Sequence, residues 1–488
     1  MRPPLRVAIV HYHLKRGGVT RIIESTLRGL RKNQATPVEA VVLSGEVPED
    51  FNFKEQAHTV EGLHYSNSQS ETPAPEVLLR RMREAAAKAL GSEPDIWHIH
   101  NHSLGKNEAM PGVVSLLAEA GDALLLQMHD FAEDGRPQNH RCNQVLPEYS
   151  EKLYPLGSRI QYALINARDL KIFADVNLPE ENRHLLANPV EVTSAPIDQK
   201  STDAILSYLE AERLFLYPVR ALRRKNPGEL LLWSALAQPG EVFATTLGPT
   251  NPEYYKTYKN WQTLASNHRL PVHLGISDGI GQPFHSIVQA AECILTTSIA
   301  EGFGLSFLEP WLYGKPVAGR DLPEITADFR EADIELGQLY QSLPIPGEWI
   351  DTDTLQGAIH HHLTASYAAY GTEPPPDATQ RALEAIRPSP GFYDFAGLNE
   401  SLQSAVIDKL AKDPKAREAL PLNSLEIPAP GKQAEKICRN YSLEVYTQKL
   451  HTLYRSLSDA RTSEINYLQP GKILENFLMP ERFRLLRT

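Results

Sequence analysis

Residues 300–317 read AEGFGLSFLEPWLYGKPV and combine a glycine turn, the start of a helix and two carboxylates. A turn at Gly302 and Gly304 brings the backbone close to a ligand, because neither residue has a Cβ. The helix that follows directs free N–H groups and a positive dipole end at the same place, which suits a diphosphate. Glu301 and Glu309 suit the hydroxyls of a sugar and a ribose. The stretch therefore predicts a nucleotide-sugar site.

The residues around this stretch place it at the end of a buried strand. Residues 294–298, Ile-Leu-Thr-Thr-Ser, predict the end of a strand. Residues 305–313 predict the helix, and Gly314 with Pro316 ends that helix. Open α/β sheets bind ligands at the carboxyl ends of their strands, where this turn lies. The alternative is an ordinary strand–helix loop with two solvated glutamates.

Strand and helix patterns alternate in two series, one before residue 190 and one after residue 200. Such alternation is typical of parallel sheets with helices on both faces, and 488 residues are too many for one core. We expect an α/β fold of two Rossmann-like, doubly wound parallel-sheet domains. The expected boundaries are 1–195 for the first domain, 196–440 for the second with a helical insertion at about 345–440, and 441–488 for a C-terminal helix and tail.

Charge and composition bear on the class of partner and on location. The formal net charge of −11 argues against nucleic acid, because phosphate binding needs a basic surface. No apolar run reaches the ~20 residues of a membrane span, and no secretory signal is evident. The three cysteines lie far apart, so we expect a cytoplasmic protein. The basic and apolar segments 20–32 and 477–487 fit packing against the domains better than membrane contact.

Two cations follow the first strand of the second domain. Arg220 ends that strand, and Lys225 comes five residues later, directly before a helix. Together they suit the neutralisation of a departing diphosphate, a task that other proteins give to a metal ion. A solvated basic loop is the alternative.

The first domain offers a second set of polar residues at strand ends. Gly18 opens a helix after a strand, which makes another anion-binding helix N-terminus. His129 follows a different strand and is expected at the same edge of the sheet. Further basic side chains flank these two positions: His11, Lys15, Arg16 and Arg136.

No metal site is expected from the sequence. His98, His100 and His102 alternate as in a strand, but they lack an evident carboxylate or cysteine partner. The run 360–362 of three histidines lies in a helical pattern, where adjacent residues face different ways. Residues 351–353, Asp-Thr-Asp, fit the start of a helix better than a metal ligand set.

Taken in chain order, these elements resemble the retaining glycosyltransferases of the GT-B fold, the glycosyl transferases group 1 family. In that fold the two domains face a central cleft and a C-terminal crossover helix, here matched by 441–457, returns toward the first domain. The resemblance covers roughly residues 5–330. This chain departs from the family pattern at Pro310-Trp311, after Lys225, where the usual glycine is missing, and in the unfamiliar region 345–440.

The resemblance implies a role for each matching residue. Glu301 would bind hydroxyls of the donor sugar, and Glu309 would hold the ribose. Arg220 and Lys225 would stabilise the diphosphate, while His129 would touch the donor sugar. The remaining donor-binding positions are Gly18, Phe303, Gly304 and Leu305. Such enzymes need neither a metal nor another cofactor.

The implied activity is transfer of a hexose from a UDP-, GDP- or ADP-linked donor to a hydroxyl of a small acceptor, with retention of configuration. His11, Lys15, Arg16 and Arg136 indicate an anionic acceptor; solvated loops are the equal alternative. A nucleotide-sugar epimerase and a catalytically silent nucleotide-sugar or glycan-binding protein stay open as other classes. The base, the hexose, the acceptor and any homo-oligomer are not specified by the sequence.

Overall fold

The computed structural model describes residues 3–32, 37–66, 72–191, 198–337, 339–429 and 431–488. The chain forms two compact units. The first contains Met1–Pro189 and Arg439–Leu478, and the second contains Val190–Cys438 and Met479–Thr488. The boundary expected between residues 195 and 196 lies outside the described residues.

The first unit begins with strands and helices in alternation. Its strands are β1 Leu5–Val10, β2 Val38–Ser44, β3 Ala57–Thr59, β4 Ile96–His100, β5 Leu124–Met128, β6 Pro155–Leu156, β7 Ile160–Leu164 and β8 Arg183–Leu185. Its helices up to Pro189 are α1 Gly18–Lys32, α2 Pro75–Leu90, α3 Met110–Glu119, α4 Pro137–Cys142, α5 Pro147–Ser150 and α6 Ala167–Asp175.

Seven of these strands form one parallel sheet in the order β3-β2-β1-β4-β5-β7-β8. Successive residues of β1 enter opposite cores: Val7 and Ile9 pack on one face, Ala8 and Val10 on the other. Both faces are thus covered, as a parallel sheet requires. The predicted parallel sheet of this half is confirmed.

The second unit repeats the alternation. Its strands are β9 Arg213–Arg220, β10 Glu241–Leu247, β11 Val272–His273, β12 Cys293–Thr296, β13 Val317–Gly319, β14 Pro344–Pro346 and β15 Phe392–Asp394. Its helices are α7 Gln199–Tyr208, α8 Pro227–Ala235, α9 Tyr255–His268, α10 Ser277–Ile280, α11 Phe284–Ala290, α12 Leu305–Leu312, α13 Pro323–Glu331, α14 Thr352–Ala369, α15 Ala378–Glu384 and α16 Glu400–Lys412, with α17 Gln433–Tyr441 at the boundary.

Five strands of this unit form a parallel sheet in the order β11-β10-β9-β12-β13, so the second predicted sheet is also confirmed. The region after residue 345 holds helices together with the antiparallel ribbon β14–β15. Each of these strands has only three residues, and β14 reads Pro-Ile-Pro, so neither could be recognised from sequence.

The C-terminal segment contributes α18 Leu443–Asp459, β16 Asn466–Tyr467 and α19 Pro470–Phe477 to the first unit. Leu450 and Tyr454 of α18 are buried in the same core as Val7 and Ile9. The last ten residues belong to the second unit, where Leu485 and Leu486 are buried. Within the described residues, every helix is too short or too polar to cross a membrane.

Candidate active site

The turn before α12 requires glycine at position 304. Gly304 has φ +91°, and a Cβ added there would lie 2.8 Å from Cγ2 of Ile325. Phe303 is buried edge-on against Phe329, with ring centroids 5.7 Å apart. The side chain of Phe303 therefore belongs to the core, and only its backbone is suited to face a ligand beside Leu305, the first residue of α12.

Glu301 lies in the loop before this turn and is surrounded by donors. The ammonium group of Lys225 and the hydroxyl of Ser298, the latter at 2.5 Å, both contact Oε1. The guanidinium of Arg224 lies 3.4 Å from Oε2 and donates to the carbonyl of Ala300 at 3.1 Å. Burial favours the neutral acid, but Lys225 and Arg224 outweigh it and lower the pKa of Glu301. The carboxylate is therefore charged and held in one orientation.

Lys225 is fixed by its backbone as well as by Glu301. The hydroxyl of Thr297 donates to the carbonyls of Lys225 and Asn226, at 2.9 and 3.0 Å. The side chain of Lys225 is only 13% exposed, and this burial lowers its pKa against the opposing attraction of Glu301. Hydrogen bonds thus join the loops after β9 and β12, and the two loops together hold a buried ion pair.

The other residues predicted to bind the sugar donor lie along the same edge of the sheet. Arg220 ends β9 and donates to the carbonyl of Gly248 at 3.1 Å, next to the end of β10, whereas Lys225 pairs with Glu301. Glu309 is half-buried within α12. Arg224 was not among the predicted site residues; its place beside Lys225 was the one available signal.

A buried ion network lies behind the Lys225 loop. Arg320 donates to Oε2 of Glu229 at 2.7 Å and to Oδ1 of Asp394 at 2.8 Å. Asn226, which follows Lys225 with φ +50°, donates to the same Oε2 at 2.8 Å and accepts a hydrogen bond from Gln403 at 3.0 Å. The sequence analysis missed this network, which ties the backbone next to Lys225 to the core.

In the first unit, Gly18 opens α1, and a Cβ added there would meet nothing within 4 Å. The three predicted cations of this unit each have a carboxylate partner: Lys15 with Glu46 at 2.8 Å, Arg16 with Asp50 at 3.3 Å and Arg136 with Asp130 at 2.5 Å. An anionic ligand would compete with these carboxylates. His11 differs, because burial lowers its pKa to about 3 and leaves it neutral at pH 7.

His129 directly follows β5 and belongs to a cluster of histidines at the carboxyl ends of β1, β4 and β5. Its Nε2 lies 2.9 Å from Nδ1 of His100. The backbone N–H groups of His129 and Asp130 both donate to Oδ1 of Asn101, at 2.7 and 3.2 Å. Across the described part of the chain, no three His, Cys, Asp or Glu side chains are arranged to hold a metal ion.

Comparisons with known proteins agree with this architecture. No family model matches the chain. Two solved structures of HepE (Alr3699) from Anabaena, one with UDP and glucose and one with UDP-glucose, superpose with a TM-score of 0.53 at 11% and 12% identity and cover 93% of this chain and 100% of theirs. Sucrose-phosphate synthase from Thermosynechococcus elongatus gives a TM-score of 0.51 at 13% identity, covering 93% of this chain and 99% of its own.

The chain therefore has the GT-B fold, and the predicted resemblance to GT-B glycosyltransferases is confirmed. In sequence it is similar to mannosylglucosyl-3-phosphoglycerate synthase from Petrotoga mobilis, with 26% identity over 348 residues. The match covers 66% of this chain and 66% of that relative, slightly less than two thirds of its length.

Proposed function

We propose that this chain is a cytoplasmic, metal-independent glycosyltransferase that moves a hexose from a nucleoside diphosphate to a hydroxyl of a small acceptor, with retention of configuration. The carrying observation is the charged Glu301 carboxylate, held by Lys225, Arg224 and Ser298 beside the N-terminus of α12. The same edge of the sheet thus offers acceptors for sugar hydroxyls and cations for phosphates.

The donor half of the reaction follows from these charges. Lys225 and Arg224 stand next to the start of α12, where backbone N–H groups and the helix dipole also favour negative charge. Breaking the bond between C1 of the hexose and the diphosphate leaves negative charge on the departing oxygen. Cations fixed in advance stabilise that charge without reorganisation, so no metal is required for this step. Arg220, the last residue of β9, binds the same diphosphate.

The remaining groups bind and orient the donor. Glu301 accepts hydrogen bonds from hydroxyls of the hexose, and Glu309 from those of the ribose. The backbone N–H groups of residues 303–305 contact the sugar and phosphates. In the first unit, Gly18 leaves open space for a ligand to approach the backbone, and His129 donates to the hexose.

Retention follows if the acceptor attacks from the face that the diphosphate leaves. The new bond joins C1 to the acceptor oxygen while the bond from C1 to the phosphate oxygen breaks. The proton of the acceptor hydroxyl passes to a donor phosphate oxygen, so no covalent intermediate with the protein forms. Fixed electrostatic stabilisation is then the main contribution of the protein.

The relatives favour particular substrates. HepE was solved with UDP-glucose, which supports a UDP-hexose as the first donor to test. The name of the Petrotoga relative contains 3-phosphoglycerate, which supports an acceptor carrying a phosphate or carboxylate. In the first unit, Lys15, Arg16 and Arg136 are the cations available to such an acceptor once it displaces their carboxylate partners.

The direct test is incubation of the purified chain with UDP-, GDP- or ADP-hexoses and EDTA, with and without 3-phosphoglycerate and its glucosylated form. Acceptor-dependent release of the nucleoside diphosphate and a product with retained configuration are expected. Conversion of the donor without acceptor would instead indicate an epimerase. Saturable donor binding without any turnover would indicate a silent binding protein.

A further inference from the structure

A hydrogen bond joins the imidazole rings of His129 and His100. Nε2 of His129 lies 2.9 Å from Nδ1 of His100, and the two ring planes are only 10° apart. His100 is fully buried and His129 is 8% exposed. Two neutral rings at this distance need a hydrogen on one nitrogen and a lone pair on the other. The question is which ring donates.

The far side of His100 decides between the two arrangements. Its Nε2 is buried and has no hydrogen-bond partner among the described residues. If His129 donated, His100 would carry its hydrogen on Nε2 and bury an N–H group without an acceptor. Buried N–H groups without partners are rarer in proteins than under-used acceptors. The favoured arrangement therefore has Nδ1–H of His100 donating to Nε2 of His129.

His98 fixes the ring of His100 from the other side. The two rings stack at a centroid distance of 4.4 Å. Nε2 of His98 donates to Oε1 of Gln127 at 2.9 Å, and its Nδ1 accepts from the hydroxyl of Tyr454 at 2.8 Å. Both nitrogens of His98 are satisfied in the neutral form. His98 therefore supports His100 by packing and does not compete for its proton.

The surroundings of His129 keep it uncharged. Burial lowers its pKa to about 3, and His11 and His98 add to this effect. In the described part of the chain, the titratable groups near it include His11, which follows β1, His98 and His100 of β4, and Asp130 in its own loop. Arg136 pairs with the carboxylate of Asp130 at 2.5 Å, so this carboxylate is already engaged.

We infer that His100 is a positioning residue that holds His129 as the neutral tautomer with its hydrogen on Nδ1. His129 then offers a fixed N–H donor to a ligand oxygen and acts as neither a general base nor a cation. The identity of that ligand, a hydroxyl or phosphate oxygen of the nucleotide sugar, rests on the proposed function. The state of the two rings does not.

Nitrogen-15 NMR of the full chain reads this state without any substrate. The ring signals of His129 are assigned by their loss in His129→Gln. We expect the wild-type protein to show hydrogen on Nδ1 of His129, with no titration of this ring between pH 5 and 8. Hydrogen on Nε2, or titration within this range, would overturn the inference.

Two variants separate positioning from packing. His100→Phe keeps a planar ring but removes the donor, whereas His100→Asn keeps an N–H group near the position of Nδ1. We expect His129 in His100→Phe to stay neutral, because its burial persists, but to lose its single tautomer and carry hydrogen on Nε2 in part of the molecules. In His100→Asn it should keep the Nδ1–H tautomer. His184→Phe, on the edge strand β8, controls for replacing a histidine of the same sheet. A single Nδ1–H tautomer of His129 in His100→Phe would overturn the inference. If His100→Phe does not fold, the spectra of the wild type and of His100→Asn provide the test.

The rate of sugar transfer provides a second test of the role of His100, and this test depends on the proposed function. In His100→Phe we expect kcat/KM to fall about 10-fold because part of the molecules lack the Nδ1–H donor, with rescue in His100→Asn. If the wild-type chain transfers no sugar while His129 carries its hydrogen on Nδ1, the proposed function fails and the positioning role of His100 stands. If the sugar is transferred but the hydrogen of His129 lies on Nε2, the proposed function stands and the positioning role of His100 fails.

Discussion

The hydroxyl of Ser298 donates a hydrogen bond of 2.5 Å to Oε1 of Glu301, the same oxygen that the ammonium group of Lys225 contacts. The hydroxyl of Tyr217 in turn lies 2.6 Å from the Ser298 oxygen. Glu301 is therefore oriented from the strand β9 below it as well as by the cations beside it. A carboxylate fixed in this way loses little freedom when it binds a sugar hydroxyl.

Replacing Lys225 by alanine tests the electrostatic part of the proposal. Removing one fixed stabiliser of developing charge typically costs about 10²- to 10³-fold in rate. We expect Lys225→Ala to lower kcat for sugar transfer by this amount, measured as release of the nucleoside diphosphate. The matched control is Lys412→Ala, which removes an exposed ion pair with Asp408 on α16 and should leave turnover unchanged. Equal turnover in all three proteins would refute the role of Lys225.

The pH dependence of stability reports on Glu301. Its pKa is lower in the folded protein than its ordinary value of 4.5, so the unfolded chain binds the proton more readily. The ion pair therefore contributes stability above pH 4.5, and this contribution is lost as the pH falls through the folded pKa. Urea unfolding between pH 6 and pH 3 should show a steeper loss of stability for the wild type than for Glu301→Gln. Parallel curves would contradict the charged state assigned to Glu301.

The network behind the Lys225 loop makes a prediction about stability. Removing one partner of a buried ion pair leaves an uncompensated charge, at a cost of about 3–5 kcal/mol. We expect Arg320→Met to lower the free energy of unfolding by this amount, measured by chemical denaturation. Arg381→Met, at a partly exposed pair with Glu481, should cost much less. Similar losses of unfolding free energy in the two variants would show that the buried network stabilises the fold no more than the exposed ion pair.

Two glycines next to α12 separate backbone strain from crowding. Both have positive φ, +91° at Gly304 and +70° at Gly314, so alanine is strained at either by about 1–2 kcal/mol. A Cβ at position 304 also meets Ile325 at 2.8 Å, whereas a Cβ at position 314 meets nothing within 4 Å. Gly304→Ala should therefore lower Tm more than Gly314→Ala. It should also weaken donor binding, which calorimetry can measure, while Gly314→Ala should bind the donor normally.

The parallel sheets could be predicted from sequence because their strands are short, continuous apolar runs, such as 7–10 and 293–296. The turn at Gly304 could be predicted because glycine and the following helix are local signals. Arg224 and Ser298 could not be assigned in the same way. Arg224 meets Glu301 across 77 residues of chain, and only the pairing of β9 with β12 brings their loops together.

The same limit applies to the histidines. The alternation of His98, His100 and His102 is visible in the sequence, but it indicates only a strand, because no metal-ligand partner is evident nearby. The partners of His98 are Gln127 on the neighbouring strand β5 and Tyr454 on α18, and the partner of His100 is His129 in the loop after β5. No local pattern connects these positions, since their distances along the chain reach 356 residues.

Donor binding measured by isothermal titration calorimetry tests the central claim most directly. UDP-, GDP- and ADP-hexoses are titrated into the wild type, Lys225→Ala and Lys412→Ala without added metal. We predict saturable binding of at least one donor to the wild type and Lys412→Ala, and binding at least about 10-fold weaker to Lys225→Ala. Absence of binding for every donor, or equal affinity in Lys225→Ala, would contradict a nucleotide-sugar site built on Glu301 and Lys225.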